Sequence, residues 1–364
     1  MKKLRLVLPA LTLALCLLLS ACGGASEPAQ PTPLPVPDEQ HSLRLSQEST
    51  VKTVKYEGEA DFQAFLSMAS PAFVIPGLAQ AFTPQGMGFD SGCVYISSYS
   101  GGQVPSVISA VDLASGELQA EYFLYNPDGT PFSSHVGGLA VTESCLYVSA
   151  ALDSDGSYSI ACIPKTELPA QGSHDVTVSR IIPQAVSPSF MSYNDGILWL
   201  GNFYHPDADY GLPAAFGSTV PSADGDYGCY VLGFRLSEGS FPEEESGSYP
   251  MPDYVLLAPN KIQGLVCTDG RVVLSQSYGR KNNSALLEYA LLLDEPADTT
   301  VELDGNSLPA YLLDSHRQTA ATTAMPMTEG LCTDDSGSIL VLFESGASRY
   351  SDGKFRTDCV WAFS

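Results

Sequence analysis

The chain has 364 residues, 44% of them hydrophobic, and its 41 Asp plus Glu against 17 Lys plus Arg give a formal charge of −24. So acidic a surface repels phosphates and anionic headgroups, which excludes nucleic acid and a polybasic membrane contact as partners and favours solubility and weak attraction of cations. The apolar content suffices for a full core in one large domain or two small ones.

Taken from the start, Lys2, Lys3 and Arg5 form a positive n-region, and the apolar and small-residue run Leu6 to Leu19 has the length of a signal h-region rather than a bilayer span. The run ends in Leu19-Ser20-Ala21-Cys22-Gly23, which resembles the bacterial lipobox. That resemblance implies cleavage before Cys22, lipidation of its thiol, and a chain held on the extracytoplasmic side of a cell membrane. An ordinary cleaved signal with a coincidental cysteine is the alternative. Two acyl chains anchor stably where one binds reversibly.

Beyond Cys22, Pro28, Pro31, Pro33, Pro35 and Pro37 are spaced so that neither helix nor sheet can persist. A polyproline-like stalk to residue 45, at ~3.1 Å per residue, would hold a domain on the order of 60 Å from the bilayer. The expected organisation is a signal peptide over 1–21, a lipidated cysteine and stalk over 22–45, and a folded domain over 46–364. Without the three basic residues of the signal, 14 Lys plus Arg face 41 acidic residues, a charge of −27. No second apolar stretch approaches spanning length.

Seven cysteines follow Cys22: Cys93, Cys145, Cys162, Cys229, Cys267, Cys332 and Cys359. They contain no C-x-x-C pair and no histidine at zinc-finger spacing, and an odd number cannot pair completely. Small buried apolar residues are the expectation, although export would permit disulfides.

Helix is scarce, the one credible piece being Ala60 to Ala69, with Phe62, Phe65, Leu66 and Met68 available for an apolar face before Pro71. A pattern of short strand, turn and alternating strand then recurs five times, from Gln85 to Tyr99, Gly137 to Ala151, Ser189 to Phe203, Gln263 to Ser277 and Glu329 to Ser345. Turns such as Asp90-Ser91-Gly92, Asn194-Asp195-Gly196 and Asp334-Asp335-Ser336-Gly337 make each copy a β-hairpin. Further strands follow, such as Ser106 to Leu113 and Glu117 to Tyr125. Four strands per unit at spacings of 52, 52, 74 and 66 residues predict an all-β, five-bladed β-propeller, with the two long units leaving room for a sixth blade. A β-sandwich or two small β-domains is the alternative. The last unit is one strand short, and the β-rich segment Thr50 to Tyr56 is expected to supply it and close the ring.

These hairpins resemble the YVTN and NHL class of extracytoplasmic propellers, and Gln276-Ser-Tyr-Gly-Arg280 and Glu344-Ser-Gly-Ala347 resemble phrases of a group of secreted bacterial propellers. The resemblance covers about residues 70 to 364; it implies the fold and no activity.

In a propeller the inner strand begins at one mouth of the central channel, and the loop after the second strand returns there. Gln85, His135, Ser189, Gln263 and Glu329 should therefore converge with Tyr99, Asn202, Tyr204, His205, Gln276, Tyr278, Arg280 and Glu344 as a ligand-binding ring. Each has a bland reading beside the functional one. Gln85 and Gln263 could tie blades together, His135 could be structural, the tyrosines could cap the core, and Arg280 could pair with Glu344 or hold an anionic ligand. Thr328-Glu329-Gly330 resembles the strand start of calcium-dependent gluconolactonase propellers. That resemblance implies a calcium site with Glu329 and Asn202 as ligands, but no Asp falls on the family's third position; His135 and Glu329 are catalytic candidates by their expected convergence at the mouth. The insertion Tyr204 to Tyr227, with Asp207, Asp209, Asp224 and Asp226, and the pair Asp153 and Asp155 read as solvated acidic loops, since an EF-hand glutamate would fall on Pro164. No nucleophile elbow, H-E-x-x-H, Walker or dinucleotide motif is present. The leading expectation is a membrane-tethered module binding a small molecule or protein at the mouth; a metal-dependent hydrolase or lyase is the alternative.

Overall fold

Turn chemistry and alternating apolar residues produce the strands in pairs. At Ser91-Gly92 and Asp195-Gly196 both residues have positive φ, 52° and 80°, then 52° and 75°, the backbone that a tight two-residue hairpin demands. The computed structural model describes residues 42–51, 60–150, 156–241, 249–268 and 270–364. The signal segment, Cys22, the proline-rich stretch to residue 41, Asp153 and Asp155 lie outside them.

Five sheets form the blades. Blade I is Thr83–Asp90, Cys93–Tyr99, Val107–Asp112 and Leu118–Tyr125. Blade II is Leu139–Val141, Cys145–Ser149, Tyr158–Pro164 and Arg180–Gln184, and blade III is Phe190–Asn194, Ile197–Gly201, Cys229–Arg235 and Tyr254–Ala258. Blade IV is Ile262–Thr268, Gly270–Gln276, Ser284–Leu291 and Gln318–Ala324. Blade V is Thr328–Thr333, Ile339–Phe343 and Cys359–Phe363, completed by Ala69–Val74. The fold is a five-bladed β-propeller.

The recurring glycine of the inner strands is explained by crowding at the axis. A Cβ on Gly86 would lie 2.7 Å from Leu139 N, on Gly138 2.7 Å from Met191 Cγ, on Gly264 2.5 Å from Glu329 O, and on Gly330 2.7 Å from Met87 N. Blade I thus abuts II, II abuts III, IV abuts V and V abuts I; the inner strands of III and IV also touch, which completes the circle. Five apolar clusters fill the spaces between neighbouring blades.

The ring is closed from the N-terminal side, but by Ala69–Val74 rather than Thr50 to Tyr56. Thr50 and Val51 are not in a strand, and 52–56 lie outside the described residues. The expected helix decides this. Ala60–Phe62 and Gln63–Met68 form two short helical turns that bury Phe62 and Phe65. The Phe65 ring sits 5.7 Å from Trp361 and from Phe363, and 6.2 Å from Phe343. The next residues are thereby delivered beside Cys359–Phe363, where Ala69 pairs with Phe363 and Val74 with Cys359.

There is no sixth blade among the described residues. The third unit is lengthened by the small hairpin Val220–Ser222 and Gly225–Tyr227, and the fourth by the hairpin Thr299–Leu303 and Asn306–Leu312. The latter leaves blade IV and adds parallel to Tyr254–Ala258 on the edge of blade III, as Gly172–Thr177 does to Leu118–Tyr125 on blade I. Both outer edges are covered by these additions.

Residues 44–51 run along blades V and I. Leu45 is buried, the backbone N–H of Leu45 donates to Glu121 (2.9 Å), and Arg44 reaches Ser173 (2.7 Å) and Asp175 (3.0 Å). Asp358 Oδ2 accepts from Ser49 Oγ (2.6 Å), Thr50 N (2.8 Å) and Val51 N (2.9 Å). The seven described cysteines are free thiols, five of them buried, with Cys145 and Cys162 Sγ 3.2 Å apart. No helix among the described residues is long and apolar enough to cross a membrane.

Candidate functional site at the channel mouth

The starts of the inner strands open onto one cavity of about 1050 Å³. Gln85, His135, Ser189, Gln263 and Glu329, one from each blade, line it together with Asn202, Tyr278, Arg280 and Glu344. Two carboxyls meet there. Glu329, 4% exposed, and the half-buried Glu344 line the cavity close enough for the charge of one to act on the other. Gln263 Nε2 donates to Glu329 Oε1 (3.3 Å) and Gln85 Nε2 to Glu344 Oε2 (3.0 Å).

Burial pushes the Glu329 carboxyl well above the ordinary range, and the charge of Glu344 pushes it further. Burial also raises Glu344, to about 7, against the lowering effect of its hydrogen bonds from Tyr350 and Gln85. Neighbouring buried acids therefore hold their protons to higher pH than ordinary carboxyls do. Gln85 and Gln263 thus connect blades I and IV to blade V through carboxyl groups, not through backbone.

Around this pair the wall is aromatic and amide-rich. The Tyr99 ring lies 4.5 Å from His135, and its hydroxyl accepts from Arg349 Nη1 (2.8 Å). His135 is solvent-accessible but recessed among protein atoms; that recess, with Arg349 nearby, pushes its imidazole below the usual value and favours the neutral form. Tyr278 is 39% exposed, with Phe203 at 6.3 Å and His205 at 4.4 Å between ring centroids.

Several expected contacts are not made, and Tyr204, His205 and Gln276 do not line the cavity. Arg280 pairs with Asp352 (2.8 Å) and covers the Tyr350 ring at 4.9 Å, so the Arg280–Glu344 ion pair does not form. Tyr204 is core, packed against Gly228. His205 is buried beside Tyr278, with Nδ1 unpartnered. Gln276 donates to Asn260 O (2.8 Å) and faces a neighbouring groove of about 570 Å³ that also holds Asp224, Asp226 and Lys261. Asn202 lines the mouth, yet its Nδ2 donates to Gly228 O (3.1 Å) and its Oδ1 accepts from Tyr230 N (2.8 Å). Both halves of that amide are committed to the backbone, which removes it as a metal ligand in this arrangement. Among the described residues no three His, Cys, Asp or Glu side chains are grouped to hold a metal.

No protein-family model matches the chain, and no curated protein does. Solved structures similar to it include an oxidoreductase (glucose dehydrogenase) of Thermus thermophilus, at 13% identity and a TM-score of 0.39, over 81% of this chain and 99% of that one. A GH43_1 enzyme of Xanthomonas citri complexed with xylotriose is 13% identical at a TM-score of 0.41, over 83% and 92%. The WD40 domain of Toxoplasma gondii coronin is 9% identical at 0.32, over 77% and 56%. Likeness this remote carries no argument about this chain.

Sequence reasoning missed Arg349, Tyr350 and Asp352, which follow Glu344 in the same loop, on and just beyond the 3-10 turn Ser348–Tyr350. Following that loop a few residues further would have found them. Asp209 and Tyr210 reach the cavity from the blade III insertion, and nothing local marks them for it.

Proposed function

We propose that this chain is an extracytoplasmic lipoprotein, tethered through Cys22, whose propeller binds a small polar ligand in its channel mouth. Kinship with the YVTN and NHL class of propellers is part of the reading, supported by the hairpin pattern. One observation carries the binding half: a residue from every blade faces a single cavity of about 1050 Å³, at the upper end of ligand-site volumes and lined by convergent polar and aromatic groups. The tether is supported by the order of n-region, h-region and small residues before Cys22.

Thermal-shift screening of polyols, amines, carboxylates and divalent salts tests the binding half. A ligand of the mouth raises the melting temperature of the wild-type protein and leaves Tyr278→Ala unmoved; a panel with no such compound counts against the site. Labelling of growing cells with radioactive palmitate tests the tether. Label is expected on the wild-type chain and absent from Cys22→Ser, and equal membrane retention of the two would remove the anchor.

A further inference from the structure

We infer that the ligand of the mouth carries an organic ammonium group, which sits against Glu329 and Glu344. This rests on the mouth being a binding site, and it names the chemistry of its ligand.

Among the described residues neither carboxyl belongs to an ion pair; their hydrogen-bond donors are the amides of Gln85 and Gln263. Two acidic side chains that line one cavity and are met only by neutral donors offer their charge to a cation entering that cavity. The cations nearby are already engaged. Arg280 is held by Asp352, and Arg349 by the Tyr99 hydroxyl and Ser100 O. His135 tends to neutrality. An anionic ligand would have to break those contacts and approach the carboxyls.

A cation meets the reverse situation. Asp209 contributes another carboxylate to the wall, and Tyr158, Phe203, Tyr210, Tyr278 and Tyr350 offer aromatic surface of the kind that attracts ammonium groups. A charge of −24 draws cations towards the protein and concentrates them in clefts. Any proton held by the pair passes to water as the cation binds, and the ammonium keeps its own charge and protons. The groups facing the pair are Tyr99 and Tyr350, whose hydroxyls burial keeps protonated, with Arg349, and Arg280 across the Tyr350 ring.

The test is titration of the full chain with choline, ethanolamine and putrescine chlorides in unbuffered sodium chloride at pH 7, following heat and released protons together. Saturable binding of at least one amine is expected, with up to one proton released per ligand and an affinity lowered at least about tenfold in Glu329→Gln and Glu344→Gln. Melting curves at pH 5 that match the wild type show both variants folded. The inference is overturned if no amine binds, if amines bind without proton release and equally to the variants, or if calcium chloride alone releases protons. Stabilisation by xylitol or citrate that Tyr278→Ala abolishes, with no response to amines, would retain the mouth as a site and discard the ammonium. Stabilisation by any of these compounds that Tyr278→Ala leaves intact would discard both.

Discussion

Replacing Glu329 with Gln should flatten the dependence of stability on pH between 5 and 8. In the wild-type protein Glu344 is raised from its ordinary 4.5 to about 7, and Glu329 is raised as well. An acid raised in the folded state binds its proton more tightly there than in the unfolded chain. Its contribution is therefore complete below about pH 4.5 and is lost as pH rises through about 7. At about 1.4 kcal/mol for each pH unit between the two values, Glu344 alone would account for on the order of 3 kcal/mol. Solvent screening of a half-buried group reduces that to on the order of 1–2 kcal/mol. At about 2 °C per kcal/mol for a large domain, the melting temperature should fall by roughly 2–4 °C from pH 5 to pH 8 on account of this pair.

The Gln side chain keeps the shape but cannot ionise, so the cost of ionising the buried Glu329 beside Glu344 at high pH is removed, while the part due to burial of Glu344 remains. The variant should match the wild type at pH 5 within about 1 kcal/mol, exceed it at pH 8, and show a shallower slope in thermal melts followed by circular dichroism. Comparing slopes cancels the contribution of every other titrating group. Parallel profiles for the two proteins would mean that Glu329 does not hold its proton to raised pH, and the electrostatic account of the mouth would fail.

Three further outcomes follow from the packing. Gly330→Ala places a methyl 2.7 Å from Met87 N and 3.0 Å from Gln85 O, and should destabilise by roughly 1–3 kcal/mol in urea titration; a change below about 0.5 kcal/mol would show the inner ring to be loose. Phe65→Ala empties a wholly buried site among Phe343, Trp361 and Phe363, with an expected loss of about 3–5 kcal/mol and a lower denaturation midpoint. Asp358→Ala removes the acceptor of three hydrogen bonds from Ser49, Thr50 and Val51; limited proteolysis should then cut within 44–51 faster than in the wild type, and unchanged cleavage would show that these bonds do not hold the segment.

Much of the site was legible because propeller topology turns sequence spacing into proximity. Gln85, His135, Ser189, Gln263 and Glu329 occupy equivalent places in five hairpins, so one inference about hairpin order placed all five on a common cavity. Tyr204, His205 and Gln276 departed from it because a residue that follows a second strand can face the channel, the core or a side groove, and packing of the loop chooses. Arg280 found Asp352 rather than Glu344 for the same reason.

Strand pairing divides along the same line. Alternation, turn glycines and the inner-strand glycine are local, and they determined hairpins, their number and the propeller class. The closing strand was a choice between two N-terminal segments, and local propensity favoured Thr50 to Tyr56 over a stretch containing Pro71. Pro71 is tolerated because Ala69–Val74 is an outer strand whose pairing is irregular between Pro71 and Phe73. Burial of Phe62 and Phe65 between blades IV and V then selects it. The additions of Gly172–Thr177 to blade I and of Asn306–Leu312 to blade III are long-range in the same sense. Residues near in sequence set the repeating unit through backbone and turn energetics, whereas edge partners and the meeting of Glu329 with Glu344 in one cavity depend on surfaces that exist only once the ring has closed.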